Sequence, residues 1–184
     1  VRVLVCNPPW FFPEPHLVGV RAGSRWPFSR PSNARPDKWV PQEYAPYPMF
    51  AGFCATYLKK HCPGSVVHFR DSIALRESYE SFYRAVQGRY DYIFIESATP
   101  SWEHDKQVLF QLCAMNPLTK LVVTGPIATL REKLFDEAPI HAVLLGEYEK
   151  NSVKVVNGER GVLEHDLLTE AEMNEQPFPA MSAD

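Results

Sequence analysis

The 184-residue chain is 45% apolar, enough to bury a substantial core, and its length makes one domain with an appendage the expectation. A net charge of −3 and no Lys/Arg run beyond Lys59-Lys60 exclude a broad electrostatic footprint for nucleic acid or an anionic membrane. Apolar stretches are no longer than strands, so neither a transmembrane span nor a signal peptide is expected, and the expected location is the cytoplasm.

Val1, Val3, Leu4 and Val5 have the near-continuous apolar character of a parallel strand covered on both faces. Pro8 and Pro9 remove two backbone donors, so pairing stops at about Asn7. Residues 7–45 then carry neither helical nor strand period, and more than half of the 17 prolines fall between Pro8 and Pro48. Trp10, Phe11, Phe12, Trp26, Phe28 and Trp39 crowd the same stretch. Disordered linkers avoid aromatics, so this long loop is expected to be ordered by packing.

From Pro48 the pattern becomes regular. MFAGFCATYLKKHC places Phe50, Phe53, Cys54, Tyr57 and Leu58 on one helical stripe, ended by Pro63-Gly64. SVVHFRD reads as a strand, LRESYESFYRAVQG as a helix stopped by Gly88, and YDYIFIES as the third strand. A helix from about Trp102 to Met115, the strand KLVVTG, the helix ATLREKLFDE and the strand HAVLLG continue the alternation. The order predicts an α/β fold, a doubly wound parallel five-stranded sheet of Rossmann type with helices on both faces. Beyond Gly146, EYEKNSVKVV is a candidate last helix, and VLEHDLL, after an Asn157-Gly158 turn, a candidate edge strand or hairpin arm. The acidic TEAEMNEQPFPAMSAD reads as a linker leaving the domain, which divides the chain into 1–168 and 169–184.

In such a sheet, ligands bind outside the carboxyl ends of the strands, at the switch point of strand order. The loops that matter are therefore Asn7-Pro8-Pro9-Trp10, Glu96-Ser97-Ala98-Thr99, Thr124-Gly125-Pro126 and Gly146-Glu147-Tyr148. Each also has a purely structural reading: Gly125-Pro126 is a competent turn, Gly146 ends a strand, and Ser97 or Thr99 caps the next helix. No GxGxxG follows the first strand and no GxxxxGK[ST] occurs, which disfavours dinucleotide and P-loop sites. Cys6, Cys54, Cys62 and Cys113 have no metal-site spacing. An alternative chemistry uses Cys6 as nucleophile and His68, His104 or His141 as base, without a recognised nucleophile motif around it. A phosphoacceptor domain would need an acidic pair after the first strand and an Asp after the third, which Asn7 and Glu96-Ser97 do not supply.

NPP after the first strand, YPMFAGFCATYLKKH as first helix, ESAT, VTGPIAT and LLGEYE at later strand ends together resemble the N-terminal cobalamin-binding domain of B12-dependent radical SAM proteins. The resemblance covers roughly residues 1–150 and implies a flavodoxin-like sheet that binds cobalamin. By position, Asn7, Pro8, Pro9 and Trp10 would lie beside the lower corrin face, and Ser97, Ala98 and Thr99 would line the channel for the nucleotide tail. Gly125, Pro126 and Ala128 would run along that tail, with Gly146, Glu147 and Tyr148 on its outer side. Pro126 replaces the second glycine of the family's pair and removes a backbone N–H there. His16 is the only histidine in the first loop and lacks the Asp two residues before it, so the resemblance implies base-off cobalamin without a histidine ligand. Arg21, Arg25 and Arg30 in the same loop are candidates to meet the ligand's amides or phosphate, or a neighbouring domain. The chain carries no CxxxCxxC, so S-adenosylmethionine and a [4Fe-4S] cluster are expected only in a radical SAM domain, in cis or in trans, that is absent from this chain. The parent would then be a methyltransferase or related enzyme. A free-standing corrinoid carrier is the other reading.

Overall fold

The structure, a computed structural model, describes residues 1–10, 46–75 and 77–180, together with the backbone of 30–31 and 39–40, which form a two-residue antiparallel ladder. Six parallel strands make the main sheet: β1 (Arg2–Asn7), β2 (Val66–Asp71), β3 (Tyr92–Glu96), β4 (Lys120–Thr124), β5 (Ala142–Leu144) and β6 (Gly161–Leu163). Their order is β2-β1-β3-β4-β5-β6, so the direction of winding reverses between β1 and β3. The doubly wound α/β fold is as expected, with one strand more than the five anticipated. Val162 and Leu163, the head of the segment foreseen as an edge strand or a hairpin arm, run with Gly161 parallel to β5 and form that sixth, edge strand.

The side-chain alternation of the strands explains why they are apolar throughout. Val3, Val5, Val67, Phe69, Phe94 and Val122 point to one face, where α1 (Met49–His61) and α5 (Glu149–Val156) cover them. Leu4, Cys6, Ile93, Ile95, Leu121 and Val123 point to the other, under α2 (Tyr79–Val86), α3 (Trp102–Met115) and α4 (Lys133–Glu137).

Two helices differ from the sequence reading. On α1 the buried residues are Ala51, Gly52, Cys54, Ala55, Tyr57 and Leu58, while Phe50 is 50% exposed and Phe53 half-buried. Ala51, Gly52 and Ala55 thus join the expected Cys54, Tyr57 and Leu58 on the buried face, small side chains allowing close approach there. The segment expected as one helix, ATLREKLFDE, is split into a 3-10 turn at Pro126–Leu130 and the short α4. Arg131 separates them with φ 54°, and its guanidinium is paired with Glu164.

The residues expected as a linker are held against the domain as far as Ala180. The helix α6 (Glu170–Asn174) opens with a capping box between Thr169 and Glu172. The chain then runs antiparallel to α1. Lys60 donates to Glu175 C=O at 3.0 Å, Thr56 to Phe178 C=O at 3.1 Å, and Ala180 N–H to Gly52 C=O at 3.1 Å. Tyr47, whose ring packs on Gly52, donates its hydroxyl proton to Ala180 C=O.

Candidate functional site at the carboxyl edge

A cavity of about 400 Å³ opens at the carboxyl ends of β3, β4 and β5, on the side of β3 away from β1. Glu96 ends β3, Gly125 and Pro126 follow β4, and Gly146, Glu147 and Tyr148 follow β5. Phe50 of α1, Thr129 and His165 complete the wall. The volume falls in the range of about 300–1,000 Å³ usual for small-molecule sites.

Backbone conformation shapes this cradle. Gly125 has φ +85°, and a Cβ there would lie 2.7 Å from Ser97 C=O and 2.9 Å from Glu96 Cγ. Gly146 has φ +67°, and a Cβ there would run into the His165 ring. Both positions therefore suit glycine twice over, for torsion and for space.

Among the polar lining groups, Tyr148 is 2% exposed, and among the described residues its hydroxyl makes no well-formed hydrogen bond. Thr124 lies nearby but turns its own hydroxyl to Ile95 C=O at 3.4 Å. Burial, reinforced by the Glu96 carboxylate, pushes the Tyr148 phenol well above its ordinary range, so it stays a proton donor. Glu96 is buried, Glu147 half-buried and His165 exposed. The described lining thus combines aromatic walls, two carboxylates, an imidazole and an orphan hydroxyl.

The other expected positions are placed differently. Asn7 is fully buried at the end of β1, and neither atom of its side-chain amide has a partner among the described residues. Pro8 and Pro9 are buried beside it, but Trp10 is turned to α3, where its ring meets His104 edge-on at 5.2 Å. Ser97 does not line the cavity: its Oγ donates to the buried Asp105 at 2.5 Å, and Ser101 Oγ lies 2.8 Å from the same carboxylate. Ala98 is buried and Thr99 exposed at the turn that starts α3, while Ala128 packs in the core under α3 and α4. His16, Arg21 and Arg25 lie outside the described residues, as does the side chain of Arg30.

Of the alternative catalytic set, His104 stands on α3 against Trp10, and His68 and Cys6 both lie near the Tyr90 hydroxyl. Cys6 is fully buried under α2 and α3. His68 on β2 bonds Tyr90 Oη at 2.9 Å, and burial, aided by Arg2 and Lys59, holds its pKa below the usual value. His141 precedes β5 at the opposite edge of the sheet from the cavity.

Phe50, Thr129 and His165 line the cavity without having been expected there, whereas Glu96 stood in one of the strand-end loops named from the sequence. His165 stands just beyond β6, a strand anticipated only as one of two options. No family model matches the chain, and no curated protein or solved structure matches it. Among the described residues no helix is long and apolar enough to cross a membrane.

Proposed function

We propose that this domain binds cobalamin base-off and holds its nucleotide tail in the cavity at the carboxyl edge. The observation that carries the reading is the cavity itself, built where an open α/β sheet takes its ligands and lined by Gly125, Pro126, Gly146, Glu147 and Tyr148. The lining suits the base and sugar of such a tail. Phe50, Pro126 and the Tyr148 ring supply apolar surface for a flat base. Glu96 and Glu147 accept from sugar hydroxyls or amide N–H groups. Two cradling glycines leave the backbone approachable, and the orphan Tyr148 hydroxyl gains an acceptor. Asn7, whose buried amide also lacks partners among the described residues, stands at the switch point to meet a polar edge of the macrocycle. When bound, the corrinoid would supply a cobalt–carbon bond for transfer chemistry completed by a partner radical SAM domain.

The test incubates the purified chain with hydroxocobalamin or with cobinamide, which lacks the nucleotide tail, and records visible spectra after free corrinoid is removed. Cobalamin is expected to be retained with a base-off spectrum and to bind at least about tenfold tighter than cobinamide. A colourless protein, or equal retention of both, overturns the proposal. His16 has Gly19 three residues beyond it but Glu14 in the place of the motif's Asp, so His16→Ala is the control for axial ligation. Its spectrum is expected to be unchanged.

A further inference from the structure

A second cavity, of about 390 Å³, lies at the opposite, amino-terminal edge of the sheet, between the start of β1 and the turns that lead into β3 and β4. Its charged lining is Arg2, Arg89 and Asp91, a net positive set. Among the described residues neither guanidinium has a hydrogen-bond or ion-pair partner. Arg2 rests over the Tyr90 ring, 6.0 Å from its centroid, which leaves its N–H groups available at the edge. Asp91 is exposed, its Oδ2 accepting from the backbone N–H of Arg2 at 2.7 Å.

An independent observation points to a ligand here. Asn116, 6% exposed, lines the cavity at the end of α3. Its Oδ1 accepts from Gly88 N–H, which fixes the orientation of the amide. Nδ2 is therefore obliged to be a donor, and it is buried with no acceptor among the described residues. A buried donor without a partner is rare in a folded protein, and an oxygen-rich ligand answers it. Beside it Pro117 and Leu118, the latter 94% exposed, offer an apolar shelf.

We infer that this amino-edge cavity binds a small phosphate monoester, its phosphate on Arg2 and Arg89, an oxygen on Asn116 Nδ2 and its apolar body on Pro117 and Leu118. Guanidinium forks match phosphate geometry, and two unpaired ones in one concave site carry no cost of breaking an existing ion pair. The free oxygen of Asp91 suits a hydroxyl of the same ligand and rejects a second anionic group. The inference is independent of what fills the carboxyl-edge cavity.

Titration of the full chain with AMP, adenosine and inorganic phosphate, followed by 1H–15N spectra that resolve the Asn116 side-chain amide, tests it. AMP is expected to shift that amide and saturate with a Kd of about 1 mM or below. Adenosine and inorganic phosphate should each bind at least about tenfold more weakly, and Arg89→Gln should weaken AMP by a similar factor. Arg89 is exposed and unpaired, so the variant keeps the fold; Leu118→Ser is the second variant, removing the shelf and not the charge. An unmoved amide, or AMP binding unchanged in both variants, overturns the site. Inorganic phosphate binding as tightly as AMP overturns the ligand class.

Discussion

Gly125 and Gly146 share a left-handed backbone yet differ in what a side chain would meet. At Gly125 the obstacle is the Ser97 carbonyl oxygen, 2.7 Å from the added Cβ, and main chain between two paired strands cannot retreat. At Gly146 the obstacle is the ring of His165, an exposed side chain with room to rotate. Gly125, at φ 85° and ψ −170°, lies besides in a region essentially reserved for glycine, so torsion and clash both weigh against a side chain there. Gly125→Ala is expected to destabilise by about 3 kcal/mol and Gly146→Ala by about 1 kcal/mol, measured by urea unfolding. Equal losses would mean that the close approach at Gly125 is not real. At this scale the sequence pointed to the glycines, because strand ends and turn residues are local signals. Ser97 carried two readings, ligand wall or helix start, and its hydroxyl is bonded to Asp105, eight residues later on α3. The sequence reading misplaced Phe50, because helical spacing says which residues share a stripe but not that Ala51, Gly52 and Ala55 join the face that fits the sheet.

Between elements, the connection from β2 to α2 shows how a carboxylate can hold a turn. Glu77, nearly buried, takes a forked pair from Arg70 at 2.9 and 2.5 Å and further bonds from Ser72 at 2.8 Å and Ser81 at 3.1 Å. Burial pushes its carboxyl up, but the bonds from Arg70, Ser72 and Ser81 outweigh it and leave the pKa below the ordinary value of 4.5. A carboxylate with a lowered folded pKa contributes stability that is present above about pH 4.5 and lost as the pH falls through the folded value. Glu77→Gln is expected to cost about 2 kcal/mol at pH 7, less than a wholly buried pair because Arg70 is partly solvated. The variant should also lose less stability between pH 5 and 3 than the unsubstituted protein, by parallel denaturant titrations. An identical acid slope in both would remove Glu77 as its source. Strands and most helices were legible at this scale from apolar period and from Pro and Gly stops. The split at Arg131 was not, since an arginine gives no local sign of a positive φ that accompanies a pairing with Glu164, 33 residues away.

Across the whole molecule, stability should be graded from the centre of the sheet to its β6 edge. β1, β3 and β4 have neighbours on both sides and are covered on both faces, so their amides open only when the core itself is lost. β6 is three residues long, pairs on one side only, and is half-buried at two of its three positions. The segment from Glu175 to Ala180 rests on α1 through a few bonds near the surface. This gradient bears on function, because His165 stands just beyond β6 while Gly125 and Glu96 are anchored to the central strands. One wall of the carboxyl-edge cavity is then yielding and the other rigid, which suits entry of a bulky ligand from the β6 side. Native-state hydrogen exchange should show amides of β3 and β4 exchanging last, by global unfolding, with β6 and residues 175–180 exchanging early. Saturation with hydroxocobalamin should slow exchange around His165 more than in β3, because a ligand protects most where the protein otherwise opens. Uniform protection across the sheet, or slow exchange at β6 in the free protein, would contradict a yielding wall and place ligand entry elsewhere.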